Sequence, residues 1–415
     1  MHAAFVLPRF FPYRGGYENS MLAIARCLVA RGHRVTVFTT NAEDLESLWL
    51  PGYKTYLGGE AAVDGVTVRR FEVSYNKLAR RLTRFAGLVP YWRWKAQYWR
   101  PAFHIPGLRA ALHDIDADVF HVGPMPYGSL IYAGIEAAEY RHVPVIATPC
   151  MHFGEETNSD VAKHYANSCQ IALLQHCDRV LCMTATEQHK LAELGVASEK
   201  MAVIGHGVDL KLATGGDGEL IRKRHGINGP VVLHMGMKAY EKGSVAIVEA
   251  MKLLWQHGSA AWLVMAGPSL HEFDQYLAQN AAGCPRLVNL GPFGDEERRN
   301  LLAAADIVVQ PSRVESLGLV LLEAWANAKP VIAADIAVSR ELVDGASGGS
   351  IVAFGDAQRL ADEIARLLAN SGLRIEMGMR GHIFAHNYDG DKLWMRNAEE
   401  IERVSGKTGA IGNAR

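Results

Sequence analysis

The feature that most constrains this chain is a rhythm. Short runs of β-branched and apolar residues alternate with longer stretches of helical periodicity: "AAFVL" is followed by "YENSMLAIARCLVARG" and "RVTVFTT", and later come "VPVIAT", "DRVLCM" and "MAVIG". Strands of four to seven residues, each followed by a helical run, are the pattern of a parallel sheet with helical crossovers. The rhythm restarts at "PVVLHMG" and continues through "AWLVMAG", "RLVNLG", "DIVVQ", "PVIAA" and "GSIVAF". An α/β chain with two Rossmann-like halves is expected, and 415 residues suit two domains better than one core.

The boundaries follow from composition. A glycine-rich stretch, "GHGVDLKLATGGDGE" at 205–219, reads as the linker and the entry to the second half. The domains are therefore set at 1–205 and 206–385, with a last helix at 386–404 and a frayed tail at 405–415. No period of solenoid length repeats. One insertion, residues 41–113, contains a single clear strand, "VTVRRF".

Several function classes are excluded at this level. The 43 basic side chains nearly cancel the 44 acidic ones, which is neither a polyanion binder's balance nor a disordered chain's, so no nucleic-acid partner is expected. The start, "MHAAFVLPRFFPYRGG", has too short an apolar run for a signal peptide, and no later run suits a membrane span. The six cysteines form no CxxC pair and no zinc-like spacing with histidine, so a reducing cytoplasm with buried thiols is expected.

Five places carry candidate chemistry. "RGGYENS" at 14–20 lies between the first strand and the first helix, where Gly15 and Gly16 would let the backbone approach an anion; a plain tight turn is the competing reading. "GMKAYEKGS" at 236–244 holds the same position in the second half, with Lys238 and Lys242 as candidate phosphate partners, although it is no P-loop. "HDIDADVFH" at 113–121 has aspartates at 114, 116 and 118. A DxD pair suits a divalent metal, but a solvated turn into the next strand is favoured. His121 and His152 both sit near strand ends, where open α/β sheets place ligand groups.

The fifth is "PSRVESLGLVLLEAWANAKPV" at 311–331. Glu315 falls in a loop after a strand, and Glu323 falls inside an apolar helix beginning near Gly318, where a carboxylate is costly unless something hydrogen-bonds to it. The amides of Ser316 to Leu319 form a donor-rich helix start that favours an anion. A nucleotide sugar presents a ribose diol, a diphosphate and sugar hydroxyls in the order these groups would meet them. Salt bridges to local arginines such as Arg313 or Arg340 are the alternative.

On these residues the chain resembles the retaining glycosyltransferases of family 4. The second half carries "HGVD", "GMKAYEKG", "AGPS", "LGPF", "AADIVVQPSRVESLGLVLLEAWANAKPVIAA" and "FGDAQRLADEIARLL", and the first half matches more loosely through "FPYRGGYENSMLAIARCLVARGHRVTVFTT", "ADVFHV" and "MTATEQHKLAELGV". The resemblance implies the GT-B fold: two Rossmann-like domains facing a central cleft, the first binding acceptor and the second nucleotide sugar, with the C-terminal helix crossing back to the first. It implies that Glu323 binds the ribose hydroxyls, that Glu315 binds the donor sugar, and that the amides around Gly318 and Leu319 lie near sugar and diphosphate. Lys242 would meet the phosphates together with the Gly16 amide, and backbone around Phe293 would contact the base.

Two departures from the family's pattern stand out. Met237 occupies the place of the usual arginine, with Lys238 one position on as its expected substitute, and Gly123 occupies the place of a frequent second histidine, whose load His152 would share. No nucleophile stands out, which suits retention by attack on the face that the nucleotide leaves. Neither metal nor other cofactor is expected. A nucleotide-sugar epimerase or a non-catalytic GT-B binding protein is the alternative. Finally, residues 77–109 interleave eight basic side chains with "YWRWKAQYW" and contain no acid, so peripheral contact with the inner face of a membrane is weighed against ordinary packing.

Overall fold

The computed structural model describes residues 1–13, 15–75, 104–155 and 159–406. They fall into two compact units. Unit 1 comprises Met1–His152, Ala162–His206 and the chain from Lys392 onward; unit 2 comprises Phe153–Val161 and Gly207–Asp391. Composition alone puts these passages after residues 205 and 385, and nothing in the local sequence marks Phe153–Val161 as part of unit 2.

Unit 1 is built on an eight-stranded sheet among the described residues. Its strands are β1 (His2–Val6), β2 (Arg34–Thr40), β3 (Gly59–Val63), β4 (Val66–Phe71), β5 (Val119–Val122), β6 (Val145–Ala147), β7 (Arg179–Cys182) and β8 (Met201–Val203), in the order β3-β4-β2-β1-β5-β6-β7-β8. All neighbours are parallel except β3, which runs antiparallel to β4. β1 is buried along its whole length because helices cover both faces, which is why it reads as an unbroken apolar run. The helix Gly16–Ala30 buries Met21, Ile24, Ala25 and Leu28 against Phe5, Val37 and Val68. β3 escaped the sequence reading because it is an exposed edge strand and shows no apolar alternation.

The last helix, Gly390–Ser405, adds Ala398 and Ile401 to this core. Its polar anchor is Glu402, 3% exposed at the side chain. One carboxylate oxygen accepts from Arg31 Nε and the other from Arg31 Nη2, both at 2.7 Å, and His33 Nε2 lies 2.7 Å from the first.

Unit 2 has six parallel strands among the described residues: β9 (Val231–Met235), β10 (Trp262–Ala266), β11 (Leu287–Leu290), β12 (Ile307–Gln310), β13 (Val331–Ala334) and β14 (Gly349–Val352), in the order β11-β10-β9-β12-β13-β14. Val232, Leu263, Met265, Ile307, Val309 and Ile332 form the centre of its core. Among the described residues no helix is long and apolar enough to cross a membrane. Of the eight basic residues weighed for membrane contact, Arg109 donates through Nε to Glu136 at 2.7 Å; the other seven, at 77–100, lie outside the described residues, as do tail residues 407–415.

Truncating Glu402 to alanine would leave the Arg31 guanidinium and the His33 ring without their acceptor, at an expected cost of about 2–3 kcal/mol, read as a lower midpoint in urea denaturation. The Arg31 hydrogen bond holds the Glu402 carboxyl below its usual range. Its contribution is therefore complete above the unfolded carboxyl value of about 4.3 and is lost as pH falls through the lower folded value, so the gap between wild type and variant should close on acidification.

Candidate active site

The sheet of unit 2 changes direction between β9 and β12: β10 and β11 follow on one side, β13 and β14 on the other. Open parallel sheets bind ligands beyond the carboxyl ends of strands at such a point, because the crossovers there leave to opposite faces. The two loops that emerge, 236–243 after β9 and 311–318 after β12, are stitched together. Lys242 Nζ donates to the Val314 carbonyl at 2.7 Å and to Glu315 Oε1 at 2.8 Å. The Arg313 amide donates to the Glu241 carbonyl at 3.1 Å, and its guanidinium holds the Glu241 carboxylate, Nη2 to Oε1 at 2.9 Å. Gly243 has φ 73°, and a β carbon there would come within 2.4 Å of the Pro311 carbonyl oxygen, so only glycine permits this approach.

Gly318, at φ 80°, turns the second loop into the helix Leu319–Ala326. The first amides of that helix lack helical acceptors and carry the positive end of its dipole, a few residues from the Lys242 contact. Ser316 and Leu319 are half-buried there. Phe293, which precedes the helix Asp295–Ala304, is half-buried as well. The structure thus brings Lys242, Glu315, Ser316, Gly318 and Leu319 to one strand-end region. Such an arrangement suits a multiply charged anion flanked by hydroxyls.

Glu323 has 14% of its side chain exposed, close to the 15% of Glu315. Its partner is Arg298 Nη1 at 3.4 Å, from the helix Asp295–Ala304. Neither local arginine considered from the sequence fills that place: Arg313 pairs with Glu241 and Arg340 with Asp335. Burial raises the Glu323 pKa, with Arg298 pulling it down and Asp295 pushing it up.

Lys238 requires a correction. It is 2% exposed, and its Nζ donates to Asn289 Oδ1 at 2.6 Å and to the Leu290 carbonyl at 2.7 Å. The backbone is extended here, bridging to Ser269, so successive side chains point to opposite sides. Met237 is half-buried and Lys238 turns inward, so its ammonium fastens the loop to β11 and does not replace the arginine absent at Met237. Burial lowers its pKa.

Unit 1 has its own change of direction, between β1 and β5. Gly15 caps the helix Gly16–Ala30 at the end of β1's connection. His121 lies on β5 but presents no group at the surface: it is fully buried, edge-on to Phe5 at 4.9 Å between ring centroids, with Nε2 2.7 Å from Thr148 Oγ1. Burial first, then His206, lowers its pKa to about 3, so the ring is neutral. His152 stands edge-on to Tyr165 at 4.5 Å.

Two further residues, Tyr17 and His206, carry no signal in the sequence and join His121 among the buried polar groups of unit 1. Tyr17 Oη, His121 Nδ1 and His206 Nε2 are buried without hydrogen-bond partners, and the Tyr17 and His206 rings are 5.6 Å apart. A β carbon at Gly123 would lie 2.6 Å from Tyr17 Oη and 2.3 Å from the Thr148 carbonyl oxygen, which explains why no second histidine stands there. Two of the three aspartates at 114, 116 and 118 serve the fold: Asp118 Oδ2 accepts the His2 amide at 2.7 Å, and Asp116 Oδ1 accepts Arg141 Nη2 at 2.6 Å. Among the described residues no group of three or more His, Cys, Asp or Glu side chains is placed to hold a metal ion.

Known families place this geometry. Residues 217–382 match the profile described as glycosyl transferases group 1, and residues 14–212 match glycosyltransferase family 4. The chain belongs to glycosyltransferase family 4. This family 4 chain is 31% identical over 241 residues to the D-inositol 3-phosphate glycosyltransferase of Nocardia farcinica, a match covering 55% of this chain and 52% of that protein. The match thus spans about half of that relative's length. The phosphatidyl-myo-inositol mannosyltransferase of Mycobacterium leprae is 24% identical over 408 residues, 97% of this chain and 96% of that one.

Among solved structures, HepE of Anabaena in complex with UDP and glucose superposes with a TM-score of 0.71 at 19% identity, covering 97% of this chain and all of that one. Sucrose-phosphate synthase from Thermosynechococcus elongatus gives 0.70 at 18% identity, covering 97% of this chain and 98% of that one. The fold of the family 4 chain is GT-B.

Because burial holds the Glu323 carboxyl above its usual range, its charged form is disfavoured in the fold. Glu323→Gln should therefore melt higher than wild type at pH 7–8. Wild type recovers as the carboxyl protonates, so the difference should fade as pH falls below the unfolded value of about 4.3, in thermal melts compared across pH.

Proposed function

We propose that the chain moves a sugar from a nucleotide diphosphate sugar to a hydroxyl of a glycan, lipid-linked or small-molecule acceptor, with retention of configuration and without a metal ion. The observation that carries this reading is the Lys242–Glu315 pair at 2.8 Å where the unit 2 sheet changes direction, directly before a helix start and with Glu323 on the same helix. Family 4 membership supports it, and HepE is described with UDP and with UDP-glucose.

In this reading Lys242 and the amides of the helix start take the diphosphate, Glu323 accepts from the ribose hydroxyls, Glu315 accepts from the donor sugar, and backbone near Phe293 meets the base. The bond from the anomeric carbon to the diphosphate oxygen breaks while the acceptor oxygen bonds to the same face. The acceptor's proton passes to the departing phosphate oxygen. The protein's work is to stabilise charge on that leaving group and to orient the two substrates. Six cysteines with no CxxC pair and no zinc-like spacing to histidine fit a reducing cytoplasm.

The test is a thermal-shift screen of nucleotide sugars followed by transfer assays. One donor class should raise the melting temperature by mass action. With that donor, product should form only when acceptor is present, keep the donor's anomeric configuration, and form at an unchanged rate in excess EDTA. Donor turnover without acceptor would favour an epimerase, binding without turnover would mark a non-catalytic protein, and a rate lost in EDTA but restored by manganese would reject metal independence.

A further inference from the structure

A buried histidine is linked to the loop that carries Lys242. His234, on β9, is fully buried. Its Nδ1 lies 3.1 Å from the Val309 carbonyl oxygen, and its Nε2 lies 3.0 Å from Ser244 Oγ. The Ala239 amide donates to the same Ser244 oxygen at 3.1 Å. Chemistry fixes the directions. A carbonyl oxygen only accepts, so Nδ1 carries the ring proton and Nε2 accepts; the Ser244 hydroxyl therefore donates to Nε2 and keeps its lone pairs for the Ala239 amide. Burial lowers the His234 pKa to about 4, so the neutral ring that this chain of bonds requires is the form present near neutral pH.

What the chain holds is the turn of Lys242. The Ala239 carbonyl accepts from the Lys242 and Ser244 amides, each at 3.2 Å, so with its own N–H taken by the serine hydroxyl the peptide groups of Ala239 are pinned on both sides. Ser244 opens the helix Ser244–Gln256, and no side chain caps that helix start. Its hydroxyl faces back into the loop.

We propose that Ser244, oriented by His234, is a positioning residue that presets the loop so that the Lys242 ammonium meets the diphosphate of the donor. The inference rests on the donor-site reading given above. Ser244 and His234 act through Lys242, and their effect is to remove loop ordering from the cost of binding.

The test is calorimetric titration of the full chain with whichever of UDP, GDP and ADP the wild type binds most tightly, and with the matching nucleoside, which lacks phosphates. Ser244→Ala should weaken diphosphate binding about 10-fold, the scale of one hydrogen bond, and leave nucleoside binding unchanged, while Ser244→Thr, which keeps the hydroxyl, should stay within about 3-fold of wild type. In a Lys242→Ala background the serine substitution should add less than about 2-fold, since the coupling passes through the lysine. If the alanine variant does not fold, Ser244→Cys gives the same comparison with a weak donor of similar size. Unchanged diphosphate affinity, an equal loss for nucleoside and diphosphate, or a full loss without Lys242 would each overturn the assignment. A wild type that binds none of the three diphosphates would instead remove the donor-site reading itself.

Discussion

One ion pair, Lys242 Nζ to Glu315 Oε1 at 2.8 Å, joins the two loops on which the site of unit 2 depends. Both side chains are partly withdrawn from water, 25% and 15% exposed, so each relies on the other for part of its lost hydration. A diphosphate reaching Lys242 would exchange one anionic partner for another, and sugar hydroxyls would give Glu315 new donors in return. Such an exchange avoids leaving a half-buried charge unpaired, the cost that makes broken ion pairs expensive.

The surrounding residues hold this pair in register. Gly243 allows the close crossing at Pro311, and Arg313 with Glu241 ties the loops a second time. Lys238 fastens the first loop to Asn289 and Leu290, and His234 fastens it through Ser244. Two ionisable residues are thus used as internal struts, each with its hydrogen-bonding partners supplied, as burial of such groups requires. The site stands on a rigid strand-end scaffold, and its reactive charges are carried by short loops.

Much of this could be read from the sequence where local pattern decides the outcome. The alternation of apolar runs and helical stretches marked every described strand but β3, since strands covered on two faces must be apolar throughout, and the spacing of Glu315, Gly318 and Glu323 placed a loop carboxylate, a helix start and a helical carboxylate in order. Pairing across the chain was less legible. Arg298 reaches Glu323 from a helix 25 positions earlier, so the nearer arginines drew attention wrongly. Lys238 read as a phosphate partner standing in for the arginine absent at Met237 because its acceptors lie on β11, far along the chain. The unpaired atoms of Tyr17, His121 and His206 come from three separate segments and have no shared spacing to reveal them. β3 lacked a signal because an exposed edge strand has no face to bury.

On this reading the loops at 236–243 and 311–318 act as one nucleotide-binding unit. Amide hydrogen exchange of the full chain, with and without a saturating nucleoside diphosphate, measures it directly, because local opening of each segment is read separately. Exchange should slow in both loops together and in the first turn of the helix Leu319–Ala326. Slowing in only one of the two loops, or protection confined to unit 1, would contradict the account.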